Sequence, residues 1–263
     1  MHALNERFRE RIGFQGQSPI SFQELPHLLE RAGLTLPFEN TAVVAKQTTP
    51  ISKESLIEKI VNRREGGLCY ELNMLLYYFL LENGFQAKLL SAIVYKHDEG
   101  VFFSLGRTHV TVLLTHEGRE YVIDTGFGGN LPLVPVPMSG ETVCSGNGAF
   151  RIAPANLEQG NYVMEMKLLH KHEEWRVGYA FDTRLSPLTL ADVNRIQQII
   201  VERPDSPFNS GLLATKLMPT GSVTLTPASL TQWIDGKMTK IAIDTEQFES
   251  LLAHHFGMER RGS

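Results

Sequence analysis

The hydrophobic and polar positions of the chain follow two regimes that meet near residue 86. Before it, apolar residues recur at three- and four-residue intervals, the spacing that gives a helix one buried face. Phe22, Leu25, Leu28 and Leu29 keep that spacing between Ser21 and Arg31. Ser21 and Glu24 stand at capping-box separation, and Gly33 is the expected stop. Leu56, Ile57, Ile60 and Val61 repeat the pattern, with Ser52 and Ser55 as competing caps. The run Met74 to Leu81 is apolar on nearly every side, which predicts a buried helix, and Asn83-Gly84 suits a left-handed C-terminal cap.

After residue 86 the pattern shifts to alternation. Residues 87–95, 109–114 and 120–124 read as strands, and His116-Glu117-Gly118-Arg119 reads as the hairpin turn joining the last two. Further strands are expected at 162–169 and 175–181. Leu131 to Pro137 carries three prolines and is not expected in the middle of a sheet. A helix is predicted over 190–201, strands near 212–218, 222–226 and 238–243, and a closing helix near 244–256. Helices followed by short strands separated by turns make an α+β chain whose strands form an antiparallel barrel or sandwich.

Composition removes several function classes. The 263 residues are 42% hydrophobic and 21% charged, with a formal net charge of -4, so no basic field is offered to nucleic acid or anionic lipid. No apolar run approaches membrane-spanning length, and the polar N-terminus lacks the apolar core of a signal peptide. The two cysteines, Cys69 and Cys144, do not make a disulfide framework. A reducing cytoplasm is therefore the expected compartment.

Cys69 has the most suggestive surroundings. Arg64-Glu65-Gly66-Gly67-Leu68 precedes it, and a helical run follows, which places it in a helix's first turn. Unpaired N–H groups and the macrodipole favour negative charge there, and the thiolate is the nucleophilic form of cysteine. These residues equally suit a small buried hydrophobe, and alone they leave both readings open. A thiol that accepts an acyl group needs a base, and the base needs a carboxylate to orient it. His109 begins one strand and Asp124 ends the next, so a hairpin would bring them to the same open end. Of the other histidines, His97 and His116 fall in polar turns, and His254-His255 is expected at the surface. His170 and His172 show strand spacing, but with no supporting ligand pattern no metal is expected. His2 and His27 have no distinguishing context. Thr125-Gly126-Phe127-Gly128-Gly129-Asn130 reads either as an anion-binding loop or as a tight turn.

Four stretches occur in order: Leu36-Pro37-Phe38-Glu39-Asn40, Arg64 to Asn73, Arg107 to Leu114, and Tyr121 to Gly129. In their residues and spacing they resemble the arylamine N-acetyltransferases, whose motifs run Pro-Phe-Glu-Asn, Arg-x-Gly-Gly-x-Cys-x-Glu-x-Asn, a strand-leading histidine and Val-Asp-x-Gly-Phe-Gly. The resemblance spans residues 7–133 and continues more weakly to the C-terminus. It implies a helical bundle over 1–85 carrying the nucleophile, a β-barrel over 86–189 carrying the histidine and aspartate, an α/β lid over 190–263, and a cysteine-protease-like core. It implies ping-pong transfer of acetyl from acetyl-CoA through Cys69, with His109 as base and Asp124 as its orienter, to an arylamine or hydrazine, as in xenobiotic metabolism.

By the same resemblance Gly126, Gly128, Gly129 and Ser206 border coenzyme A, while Phe127, Val94 and Leu68 touch the acceptor. Leu68 stands where the family often has an aromatic residue. The family's C-terminal motif is only partly present: Pro204-Asp205-Ser206-Pro207-Phe208 match its end, while Val201, Glu202 and Arg203 replace its small hydroxyl residues. Glu39 and Arg64, both motif residues, are expected to form a buried ion pair, with Glu71 and Asn73 as network residues of the helix. Two rival readings stay open: another coenzyme A- or carrier-dependent acyl transfer or amide synthesis on this scaffold, and an inactive member that only binds acyl carriers or aromatics.

Overall fold

A computed structural model describes residues 3–169 and 171–259, so the expectations for His2 and His170 lie outside the described residues. The chain opens with α1 (Ala3–Ile12), α2 (Leu25–Thr35), β1 (Phe38–Glu39), α3 (Thr41–Val44), α4 (Lys53–Leu56) and α5 (Cys69–Glu82). The carboxylate of Glu24 accepts from the Ser21 N–H at 2.8 Å, but the residues after this cap form one 3₁₀ turn, Phe22–Glu24, before α2 begins. Pro26 lies at the start of α2, where its missing N–H costs nothing. Gly33 is not a stop. The helix runs through it because a Cβ there would lie 2.7 Å from Leu133 and 3.2 Å from Leu131, which pack against it.

Ser52 caps α4, its Oγ accepting from the Ser55 N–H at 3.1 Å, and the chain then widens into a π-helical turn over Ile57–Asn62. The helix α5 is buried nearly all round, as its composition predicts. It ends at Asn83, and Gly84 takes φ +82° while the Phe85 N–H returns to the Leu80 carbonyl at 3.1 Å.

The barrel follows: β2 (Gln86–Lys96), β3 (Val101–Phe102), β4 (His109–His116), β5 (Arg119–Ile123), β6 (Val136–Pro137), β7 (Val143–Ser145), β8 (Gly148–Leu157), β9 (Gly160–Leu168) and β10 (Arg176–Phe181). Its order is β6-β5-β4-β2-β10-β9-β8-β7, with β3 attached to β2 and every pairing antiparallel. Because β6 also lies against β8, the sheet is nearly closed. The turn between β4 and β5 has positive φ at Glu117 and Gly118, which matches the right-handed twist of the paired strands. The proline-rich segment contributes only the short edge strand β6. Strands β7 and β8 are not foreseen from the sequence, since Pro154 interrupts the pattern and the register shifts between it and Leu157.

The C-terminal part holds α6 (Leu190–Glu202), β11 (Ala214–Met218), β12 (Gly221–Thr226), β13 (Ser229–Ile234), β14 (Lys237–Ala242) and α7 (Thr245–Phe256). The unforeseen β13 does not alternate cleanly: Ser229 and Leu230 are both buried. Val193, Ile196 and Ile200 of α6 join the same apolar core as α5. The second sheet runs β1-β11-β12-β13-β14, with Phe38 opposite Thr215 and Glu39 opposite Ala214. A two-residue strand from the helical part thus ties the C-terminal sheet to the N-terminal core.

The expected Glu39–Arg64 pair is absent. Arg64 is exposed, and its backbone carbonyl accepts from Arg11 at 3.0 Å. Glu39 instead faces the Lys59 ammonium at 3.3 Å, and Lys59 donates to Glu71 at 2.6 Å, all three buried. Burial alone would raise the Glu39 carboxyl, but Lys59 and Thr41 hold it below its ordinary value. Burial, reinforced by the charge of Glu39, raises Glu71 despite Lys59. Sequence spacing did not single out Lys59, because it is one of several lysines and its burial follows from packing.

Replacing Lys59 with Met leaves two buried carboxylates facing each other and is expected to cost about 3–5 kcal/mol. Arg64→Ala should stay within about 0.5 kcal/mol of wild type, because only its main chain is bonded. Urea unfolding of both variants measures the contrast.

Candidate active site

Two loops fix the start of α5. The Gly67 N–H donates to the Pro37 carbonyl at 3.1 Å, and the Glu39 N–H donates to the Gly67 carbonyl at 3.1 Å. A Cβ on Gly66 would lie 2.1 Å from the Pro37 oxygen, so the strands can approach this closely only with glycine there. Glu71 then accepts from the Leu68 N–H at 2.9 Å while held by Lys59. Cys69 therefore sits as the first residue of a helix whose initial turn is anchored from three directions.

His109 begins β4 and Asp124 follows β5, and the register pairs Val112 with Ile123, so both side chains lie at the same end of the hairpin. His109 Nε2 is 2.7 Å from Asp124 Oδ2. The other oxygen, Oδ1, accepts from Asn73 at 2.8 Å and from the Gly126 N–H at 2.7 Å. Asn73 lies one helical turn beyond Cys69, on the same face. It also donates to the Val110 carbonyl at 2.6 Å and accepts from the Thr125 N–H at 2.8 Å. One amide thus ties the nucleophile's helix to β4 and to the loop that leaves β5.

The Cys69 sulfur is 3.6 Å from the Thr108 carbonyl, and Cys69 lines one cavity with the His109 ring, whose Nδ1 Asp124 leaves available. Burial alone would lower the His109 pKa, but the Asp124 charge and bond, with Cys69, raise it to about 10. Tyr179, not foreseen from the sequence, packs its ring 4.7 Å from the imidazole and bonds Thr111 at 3.3 Å. No local signal marks it, since it is one tyrosine in a strand. Gly126 closes the arrangement: a Cβ there would lie 2.6 Å from Cys69 Cα and 2.8 Å from Asn73 Nδ2.

A cavity of about 210 Å³ opens at the sulfur and the imidazole. Val94, Phe127, Gly126, Gly128 and Gly129 line it, with Gly128 at φ +60°. Two expected contacts fall elsewhere. Leu68 is 1% exposed and packs in the helical core, because the residue preceding α5 points under the helix rather than over it. Ser206 is 2% exposed, and its hydroxyl accepts from the Phe208 N–H at 3.4 Å, so it is spent on shaping its own turn. Phe208 of that motif reaches the cavity instead, and Phe38 of the first motif meets it edge-on at 5.8 Å. Both lie in stretches that the sequence had singled out, yet which motif residue faces inward is set by the loops.

Cys144 is a free, exposed thiol on β7. Among the described residues, no cluster of His, Cys, Asp and Glu is arranged to hold a metal ion, and no helix is long and apolar enough to cross a membrane.

A family model described as N-acetyltransferase matches residues 21–261. The chain is 41% identical over 249 residues to YvcN, an uncharacterised acetyltransferase of Bacillus subtilis, covering 94% of this chain and 95% of that protein. Among solved structures, an arylamine N-acetyltransferase from Bacillus cereus described as having a unique Cys-His-Glu catalytic triad is 38% identical. It superposes with a TM-score of 0.92 over 98% of this chain and 100% of its own. The Mycobacterium marinum arylamine N-acetyltransferase in complex with CoA is 25% identical, with a TM-score of 0.83 over 96% of this chain and 92% of that one.

The raised His109 pKa has a consequence for stability. The folded value of about 10 exceeds the ordinary 6.5, so the pairing stabilises fully below about pH 6.5 and is lost as pH rises toward 10. Denaturation midpoints of wild type minus Asp124→Asn should therefore shrink across that interval; a difference independent of pH would contradict the pairing.

Proposed function

The chain belongs to the arylamine N-acetyltransferase family and is an acetyltransferase, and from that premise we propose a ping-pong enzyme that carries acetyl from acetyl-CoA to an arylamine or hydrazine through Cys69. The observation that carries this reading is a thiol and an imidazole lining one apolar cavity, with a buried carboxylate bonded to the far side of the ring. The neutral imidazole, whose protonated form Asp124 stabilises up to about pH 10, is a base strong enough for Nδ1 to take the thiol proton, which leaves an imidazolium held by Asp124. The freed sulfur attacks the thioester carbonyl carbon, and N–H groups at the start of α5 face the oxyanion that forms. As the intermediate collapses, the carbon–sulfur bond to coenzyme A breaks and the leaving thiolate takes the proton from His109.

In the second half the amine attacks the acetyl group on Cys69, His109 accepts a proton from the nitrogen, and that proton returns to the sulfur. Asp124 holds the ring by Nε2 so that Nδ1 serves the transfer. Asp124 itself is held by Asn73 and Gly126, which makes both positioning residues.

For the donor, the support is the glycine loop. Gly128 and Gly129 are half-buried at the cavity edge, where bare backbone can border the pantetheine end of coenzyme A. The Mycobacterium marinum relative was solved with CoA. We divide the chain into a helical bundle (1–85), a barrel (86–189) and an α/β lid (190–263), with α6 lending its apolar face to the first unit. The helix-borne thiol beside a strand-borne imidazole is the cysteine-protease-like element of that division. A reducing cytoplasm suits an enzyme that depends on a free thiol.

Incubation with acetyl-CoA alone should add one acetyl group to the intact protein, located on Cys69 by peptide mass. Cys69→Ala should acquire none and lose turnover while keeping its melting temperature; a Cys69→Ala protein that still acetylates amines would overturn the reading. Gly126→Ala, which pushes a methyl group against Cys69, should lower kcat at least about 100-fold by displacing the sulfur from the ring.

A further inference from the structure

The cavity has a chemical bias that the reaction itself does not require. Four phenylalanines, Phe38, Phe103, Phe127 and Phe208, form its walls. Among the described residues no lysine or arginine lines it, and the one cationic group of that lining, His109, is neutralised by Asp124 behind it. A cavity of roughly 150 Å³ holds one benzene ring. The volume here, about 210 Å³, takes one ring together with the acetyl group on Cys69.

Polar capacity within the cavity is scarce. The Thr215 hydroxyl already bonds the Val223 carbonyl at 3.1 Å and Thr224 at 2.8 Å. Asn130 is half-buried, and among the described residues no hydrogen bond of its carboxamide is found; its N–H turns back to the Phe127 carbonyl at 3.0 Å. It is therefore a lining side chain able to read a ring substituent without breaking a bond it already has.

Resting on the acceptor class proposed above, we propose that this enzyme selects uncharged, single-ring arylamines and arylhydrazines and turns away ring carboxylates, with Asn130 as the specificity-determining position. A carboxylate entering the cavity exchanges water for a lining dominated by phenylalanine and gains no lysine or arginine partner in return. An alkylamine is disfavoured by the same reasoning, because it arrives as an ammonium ion, whereas an arylamine is neutral near pH 7. The asymmetry follows from the lining alone and needs no movement of the chain.

The matched pair 4-aminobenzamide and 4-aminobenzoate tests this, since the two differ by charge at nearly constant shape. With acetyl-CoA as donor, kcat/KM for the amide should exceed that for the carboxylate by at least about 50-fold, the scale of an uncompensated charge. Asn130→Lys should raise turnover of 4-aminobenzoate and narrow the ratio at least about tenfold by supplying the missing partner. Equal kcat/KM for the two amines in wild type overturns charge selection, and an unchanged ratio in Asn130→Lys overturns the role of Asn130. Acetylation of Cys69 by the donor, read by intact mass in every protein, separates the two levels. Its absence in wild type would mean that the ping-pong reading itself has failed. Acetylated Cys69 with neither amine consumed would overturn the acceptor assignment while leaving the donor half standing.

Discussion

Asp124 carries a carboxylate into a place where water hardly reaches it, and the rest of the site is arranged around satisfying that group. Three donors meet it: the His109 ring, the Asn73 amide and the Gly126 N–H. They come from a strand, a helix and a loop, so a single buried charge registers three elements against one another. An unsatisfied buried charge would cost several kcal/mol, which makes the arrangement nearly all-or-none. Asn73 is the hinge of this logic, because its Nδ2 binds β4 and Asp124, its Oδ1 binds Thr125 in the loop after β5, and its helix presents Cys69 one turn away.

A second buried cluster serves the other side of the nucleophile. Glu39, Lys59 and Glu71 join the strand β1, the π-helical turn and the first turn of α5. Glu39 also lies in β1, which pairs with β11, so the start of α5 is connected through this cluster to the C-terminal sheet. The same sheet and α6 help wall the cavity, with Thr215 and Ile200 among its lining. The thiol, its orienting network and the acceptor walls therefore share supports, although their residues are spread from Phe38 to Thr215.

Much of this was legible in the chain before any fold was known. The change of apolar period near residue 86 marks where the helices give way to the barrel, and the turn at Glu117-Gly118 forms as its sequence requires. His109 and Asp124 converge because strand register follows from that turn. The errors have a common cause in packing. Gly33 reads as a helix stop by local rule, yet it continues the helix because Leu131 and Leu133 need the space. Arg64 reads as the partner of Glu39 by motif membership, but Lys59 reaches it through the π-helical turn.

Local chemistry determined which residues could act: a lone thiol at a helix start, an imidazole and a carboxylate at strand ends, and glycines where backbone must approach backbone. These are properties of residue type and short-range spacing, and they survive in a one-dimensional string. Only the tertiary structure decided what surrounds them, namely that Asn73 clamps the aspartate, that Tyr179 packs on the imidazole, and that Phe38 and Phe208 rather than Leu68 and Ser206 face the cavity. Such choices depend on contacts between residues tens to hundreds of positions apart, and the direction a side chain takes from a loop is set by the elements the loop joins.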